Sequence, residues 1–250
     1  MNVQAAMDLE SSMDEGPDFR RADGMRYPRF LDQLHVSCDF SWYLEIGTQR
    51  GRSLRSARCA SVAVDPKFLI ESNVIGQKPA LYSFQMTSDA FFETGFVEKK
   101  QIAFDFAFLD GMHQFEFLLR DFMFAEAHAA PGGVIALHDC CPANFGMTVR
   151  NPADAPGAAW TGDVWKLIPI LRQYRPELTM TVLDCRPTGL VLLSDLNPEN
   201  RALQNSYEKI EAEWRDITLE GYGLERFYST FEYTAARRFA RQGFPLFKEA

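Results

Sequence analysis

The chain has 250 residues, 46% of them hydrophobic and 24% charged. A chain of that length buries roughly 70–75% of its unfolded surface in one core, without help from disulfides or metals. With 26 Lys and Arg against 34 Asp and Glu, the formal net charge of -8 argues against a nucleic-acid partner held by its phosphates. The first thirty residues carry Asp8, Glu10, Asp14, Glu15 and Asp18 and no apolar run, so no secretory leader is expected. No apolar stretch approaches the ~18 residues of a membrane span, so no membrane partner is expected either. Cys38, Cys59, Cys140, Cys141 and Cys185 are odd in number and lack C-x-x-C spacing, which suits free thiols in a reducing cytoplasm.

Residues 1–27 read as a polar, acidic arm. After Pro28, the spacing of Phe30, Leu31, Leu34 and Val36 predicts a helix leading into the core. Trp42 to Ile46 reads as a buried strand closed by Gly47, with a helix from Ser53 to Ala60 and a second strand from Ser61 to Asp65. Ala80 to Met86, Asp105 to Asp110 and Val134 to His138 are the third, fourth and fifth strands, the last announced by Pro131-Gly132-Gly133. Phe115, Leu118, Leu119, Phe122 and Ala125 recur at helical spacing, and Asp163 to Tyr174 reads as another helix. Such alternation implies a parallel sheet covered on both faces. Leu178 to Leu183 and Gly189 to Leu193 then form a hairpin-like pair across Arg186-Pro187-Thr188-Gly189. From residue 198 the chain turns charged and helical. Its aromatics Tyr207, Trp214, Phe227, Tyr228 and Phe231 read as core packing or a homodimer surface, and Arg237, Arg238 and Arg241 as a solvated helix face.

The chemistry lies at the strand ends. Glu45-Ile46-Gly47-Thr48-Gln49-Arg50-Gly51-Arg52-Ser53 sits where a strand turns toward a helix, the place where open α/β sheets bind ligands. A dinucleotide site wants G-x-G-x-x-G. Here Glu45 takes the first position, which disfavours a pyrophosphate and favours a cationic group such as an ammonium or sulfonium. The same glycines also suit a plain tight turn. Asp65 closes the second strand, where an acid can accept hydrogen bonds from ribose hydroxyls. Asp110, His113, His138 and Asp139 fall at the ends of two adjacent strands and so within reach of one site.

E-I-G-T-Q-R-G-R-S, V-A-V-D, F-D-F-A-F-L-D-G-M-H and P-G-G-V-I-A-L-H-D, in this order, resemble the successive motifs of class I S-adenosylmethionine-dependent methyltransferases. D-G-x-H followed by P-G-G-V-x-x-x-H-D is similar to a bacterial branch of small-molecule methyltransferases (methyltransferase domain 24 type), distantly related to catechol and macrolide-sugar O-methyltransferases. The resemblance covers about residues 40 to 195. It implies a Rossmann-like α/β fold: a seven-stranded, mostly parallel sheet with an antiparallel last strand, helices on both faces, and here extra C-terminal helices. The implied organisation is an arm over 1–27, a cofactor-binding domain over 28–197, and a helical extension over 198–250 packed on the same domain.

Carried over residue by residue, the resemblance implies that Glu45, Gly47 and Gly51 line the methionine end of S-adenosylmethionine, with Asp65 on the ribose and Ser53 and Asp110 also among the cofactor-binding residues. Ser88 and Asp89 would lie near adenine, although Asp89 also suits a helix N-terminus. The positions matching Asp110, His138 and Asp139 hold magnesium in the catechol-type enzymes. His138 departs from a carboxylate there, which points to a borderline divalent metal or to none. Without a metal, His138 or His113, with Asp139, would take the acceptor's proton.

The long connection from Cys140 to Gly162 reads as a lid, with Phe145, Met147 and Trp160 as acceptor contacts or, for Trp160, as a loop anchor. The function that follows is methyl transfer from S-adenosylmethionine to a hydroxyl of a small-molecule acceptor, a sugar or secondary metabolite, in the cytoplasm. Its rivals are a catalytically inactive S-adenosylmethionine-binding protein and, lower, a NAD-dependent oxidoreductase.

Overall fold

The computed structural model describes residues 18–157 and 159–247, so most of the arm expected over 1–27 lies outside the described residues. Eight strands form one sheet: β1 (Trp42–Ile46), β2 (Ala60–Val64), β3 (Leu81–Phe84), β4 (Phe104–Leu109), β5 (Ala129–His138), β6 (Thr179–Leu183), β7 (Leu190–Ser194) and β8 (Tyr233–Thr234). Their order is β3-β2-β1-β4-β5-β7-β6-β8. The first five run parallel, and β7 pairs antiparallel with both β5 and β6. The expected parallel sheet with an antiparallel closing strand is therefore present. A further two-residue strand, β8, lies parallel to β6.

Strand burial explains the apolar runs. Leu44 and Ile46 of β1 enter a core shared with the helices Phe115–Ala127, Leu167–Tyr174 and Ala202–Trp214. Tyr43, on the opposite face of the strand, enters a second core with Phe30, Leu31 and Leu34 of the helix Tyr27–Ser37 and Phe239 of the helix Ala236–Arg241. Parallel strands covered on both faces need apolar residues at every position, which is why these segments read as continuous runs. The C-terminal aromatics Trp214, Phe227 and Phe231 join the first core. Among the described residues, no helix is long and apolar enough to cross a membrane.

Two local expectations change. The helix expected from Ser53 to Ala60 is a single 3-10 turn, Leu54–Ser56: β2 already begins at Ala60, and the Ala57 carbonyl accepts a 2.7 Å bond from the buried Lys78 ammonium in place of a helical N–H. The fifth strand starts earlier, at Ala129, and Pro131-Gly132-Gly133 lies within it. The ladder with β4 shifts register there, from Phe104↔Ala129 to Phe106↔Val134, and those residues absorb the irregularity.

The helix Phe115–Ala127 is fixed at its far end by a buried ion pair. Arg175, 1% exposed, bonds Glu126 through both guanidinium nitrogens, and Glu126 Oε1 also accepts the Asn197 N–H at 3.1 Å. Removing one partner strands a buried charge. Glu126→Ala is therefore expected to lower the unfolding free energy by about 3–5 kcal/mol in urea titrations, whereas Glu126→Leu combined with Arg175→Met should recover most of that loss.

Candidate functional site

The ends of β1, β2, β4 and β5 meet at one edge. After Ile46 the chain turns at Gly47, whose φ of +89° and proximity to β4 both require glycine: a Cβ there would lie 1.9 Å from the Asp110 carbonyl oxygen. Asp65, just beyond β2, fastens the turn. One of its oxygens accepts the Gln49 N–H at 2.8 Å and the other the Lys67 N–H at 2.7 Å. A carboxylate offers about four lone-pair sites, so acceptor capacity remains on Asp65.

Glu45, fully buried on β1, accepts the Tyr43 hydroxyl at 2.6 Å on Oε2 while Oε1 has no hydrogen-bond partner. Burial raises its pKa to about 7 against the opposing pull of Tyr43, Thr48 and Ser53. An orphaned, buried carboxylate oxygen beside a glycine turn suits a cationic ligand group. Gly51 and Ser53 belong to the same turn; both are buried, and Gly51 has a φ of +69°.

Four polar side chains converge beyond β4 and β5. His113 Nε2 lies 3.4 Å from Asp110 Oδ1 and 3.3 Å from Asp139 Oδ2. His138 Nδ1 lies 3.1 Å from Asp110 Oδ1 and 3.4 Å from Asp139 Oδ1. Asp139 holds a left-handed φ of +60°, unusual for a residue with a side chain and a form of backbone strain that gathers at functional sites. Burial alone would make both histidines harder to protonate, but the Asp139 and Asp110 carboxylates win: His113 rises to about 9 and His138 well above its ordinary value. Burial likewise works against the charged forms of Asp110 and Asp139, and the two imidazoles hold both carboxyls below the usual carboxylate range. A histidine so held carries its proton at neutral pH, so acting as a base requires that proton to leave first.

The residues also fit a divalent ion. One ligand atom each from Asp110, His113 and Asp139 lies within 4.8 Å of the others. His113 Nδ1 is 2.9 Å from the Trp160 carbonyl oxygen, to which it donates, leaving Nε2 to face the carboxylates. Such an outer hydrogen bond orients a metal-binding imidazole. The sequence expectation placed His138 in this set; in the structure His113 completes the group of three, with His138 beside it. Two carboxylates and one imidazole suit borderline divalent ions better than magnesium, whose partners are oxygen atoms.

Elsewhere the expected residues separate by role. Thr87, not Asp89, caps the helix Ser88–Glu93, accepting the Ala90 N–H at 3.3 Å. Asp89 gives both oxygens to Arg120 at 2.7 Å. In the loop after β5, Met147 is buried, Phe145 is partly exposed against Phe19, and Trp160 donates to the Val149 carbonyl at 2.6 Å. Arg150 ties the loop down through Glu116 and Asp163. Two residues that sequence reasoning missed touch the cluster: Thr188 donates its hydroxyl to Asp139, and the Tyr27 ring packs 4.1 Å from that of His138. Thr188 sat in the hairpin motif and Tyr27 at the arm boundary; neither carried a signal of its own. Arg237 and Arg241, expected on a solvated face, line with Arg29 a separate groove of about 680 Å³.

Residues 44–140 match a family model described as a methyltransferase domain. No curated protein matches the chain. Among solved structures, the O-methyltransferase TomG from Streptomyces achromogenes, involved in tomaymycin synthesis and solved with S-adenosylmethionine, is 17% identical with a TM-score of 0.48, over 67% of this chain and 78% of its own. Cofactor-bound Rv0187 from MTB is 15% identical with a TM-score of 0.49, over 77% and 88%. An O-methyltransferase from Bacillus cereus, in complex with S-adenosylhomocysteine, is 18% identical with a TM-score of 0.47, over 77% and 87%.

Burial of Glu45 has a measurable pH signature. Its folded pKa of about 7 lies above the ordinary 4.5, so its contribution to stability is fully present below 4.5 and is lost as pH rises toward 7. Between pH 5.5 and 8, the stability of Glu45→Gln relative to wild type should improve by about 2 kcal/mol in urea titrations. A difference that does not change with pH would contradict a buried, strained Glu45.

Proposed function

We propose that this chain, whose residues 44–140 match a methyltransferase domain model, binds S-adenosylmethionine across the ends of β1, β2 and β4 and passes its methyl group to an oxygen of a small-molecule acceptor. The observation that carries the reading is the abutment of two sites. The Gly47 turn touches the Asp110 backbone, so a ligand lying along the turn ends beside the Asp110, His113 and Asp139 cluster.

In this reading, the orphaned oxygen of Glu45 meets the methionine ammonium and Asp65 the ribose hydroxyls, while Gly47 and Gly51 let the backbone approach. Methyl transfer is an in-line displacement: the acceptor oxygen forms a bond to the methyl carbon as the sulfur–carbon bond breaks. S-adenosylhomocysteine leaves as a neutral thioether, and the proton of the acceptor hydroxyl passes to solvent. Most of the rate then comes from holding oxygen, carbon and sulfur in line. A divalent ion held by Asp110, His113 and Asp139 would supply an acceptor hydroxyl of lowered pKa. Thr188 and the Trp160 carbonyl fix the orientation of Asp139 and His113. His138, packed under Tyr27, places positive charge between the two carboxylates and limits their repulsion. Residues 28–197 form the catalytic unit in this proposal and the helices after 198 brace it. The acidic charge and free cysteines support a cytoplasmic setting.

The test is transfer of labelled methyl from S-adenosylmethionine to a panel of catechols, sugars and other hydroxylated small molecules. Label should move to at least one acceptor with formation of S-adenosylhomocysteine, and Asp139→Ala should reduce the rate about 10²-fold or more. Activity that survives both EDTA and Asp139→Ala would remove the cluster from the mechanism.

A further inference from the structure

A groove of about 680 Å³ runs between the helices Tyr27–Ser37 and Ala236–Arg241, on the face of the sheet opposite the helix Phe115–Ala127. The two helices are held together beneath it, where Phe30 packs against Phe239 and Phe244. Arg29, Arg237 and Arg241 are exposed along the groove, and among the described residues none of the three has an ion pair or a side-chain hydrogen bond. Against them stands one acid, Asp32, which accepts the Ser56 hydroxyl. Val36, 60% exposed, lies in the same groove and also lines a smaller hollow beside it, where Arg55 and Arg58 are likewise unpaired.

On a chain of net charge -8, unpaired arginines around an exposed valine stand apart: Arg120, Arg150, Arg175 and Arg215 each pair with an acid. Like charges lining one groove repel, and an occupant both acidic and partly apolar relieves the repulsion and covers the valine.

The chain itself carries that complement. Residues 1–17 hold Asp8, Glu10, Asp14 and Glu15, no Lys or Arg, and Met7, Leu9 and Met13 interleaved with the acids. Gly16-Pro17 is a turn signal just before residue 18, the first one described. From Asp18 to Met25, which lines the groove, the chain spans at most about 24 Å, and the 11-residue helix along the groove is about 16 Å long. Residues 1–15 reach about 50 Å when extended, enough to return from Asp18 and lie along that helix. Each exposed ion pair is weak, but a tethered segment is present at an effective concentration of about millimolar, so weak pairs suffice for it where they would not hold a separate acidic chain. We infer that residues 1–15 dock in this groove, with their carboxylates on Arg29, Arg237 and Arg241 and their apolar side chains on Val36. Tyr27, the first residue of the groove's helix, packs on His138, so the docked segment braces the helix that meets the acidic cluster.

The experiment follows cleavage of the full chain after Glu10 and Glu15 by a glutamate-specific protease, read by mass spectrometry, with circular dichroism as the folding control. At about 50 mM salt, wild type is expected to be cut slowly there, and Arg237→Asp combined with Arg241→Asp roughly fivefold faster or more. Adding Asp8→Lys and Asp14→Lys to that variant exchanges the charges and should restore the slow rate. Lys99→Asp with Lys100→Asp, the same change in net charge on the other face of the sheet, should leave cutting slow. If the reversed variant fails to fold, Arg237→Gln with Arg241→Gln carries the test, with faster cutting expected again. Equal cutting of wild type and the Arg237 and Arg241 variant, or exchanged charges that do not restore protection, overturns the docking. Protection that strengthens with protein concentration, together with a dimer's mass by light scattering, places the segment on a second copy and overturns its docking on its own chain.

Discussion

At the edge of the sheet, two strand ends are forced into backbone contact, and the candidate site is built around that contact. The Gly47 N–H bonds the Val64 carbonyl at 2.9 Å and the Asp110 N–H bonds the Ile46 carbonyl at 2.9 Å, so the parallel ladders of β1 with β2 and β4 run to their last residues. With no side chain at Gly47, the turn and Asp110 stay in contact. The register of those ladders therefore sets the distance between the Gly47 turn and the acidic cluster. A one-residue slip would exchange the side chains of the two buried faces along the strand, and the packing of both cores resists it.

Within that frame the site balances opposing charges in a region sheltered from water. Two carboxylates beside each other would repel, and two imidazoles in the same space would lose their protons to burial; together they stabilise one another. Glu45 and Asp121 are different, because each keeps a buried carboxylate oxygen with no donor. Both flank the same turn, one on β1 and the other behind Gly111. The fold thus engages both oxygens of Glu126, which braces a helix, and leaves one oxygen of Glu45 and both of Asp121 without a hydrogen-bond partner.

Much of this was legible in the sequence because the relevant signals are local. Strands buried on both faces are apolar throughout, and residues such as Asp65, Asp110 and Asp139 stand out as acids that end such runs. Less was legible where distant segments decide. Ser53 to Ala60 has helix-forming composition, but the short span before β2 and the reach of Lys78 leave only one turn. Tyr27 meets His138 because the segment before it is bonded to the hairpin, through Tyr27 N–H to the Arg186 carbonyl and Arg186 N–H to the Met25 carbonyl. The orientation of His113 toward the two carboxylates is held by the Trp160 carbonyl, 47 residues further along the chain.

If the turn and Asp65 form a nucleoside site, calorimetric titration of S-adenosylhomocysteine and of NAD into the protein and into Asp65→Ala will show it. The account predicts micromolar binding of S-adenosylhomocysteine to wild type, no binding of NAD, and a loss of about tenfold or more in Asp65→Ala, the worth of one charge-assisted hydrogen bond. Equal affinity of Asp65→Ala and wild type, or binding of NAD in place of S-adenosylhomocysteine, would contradict it.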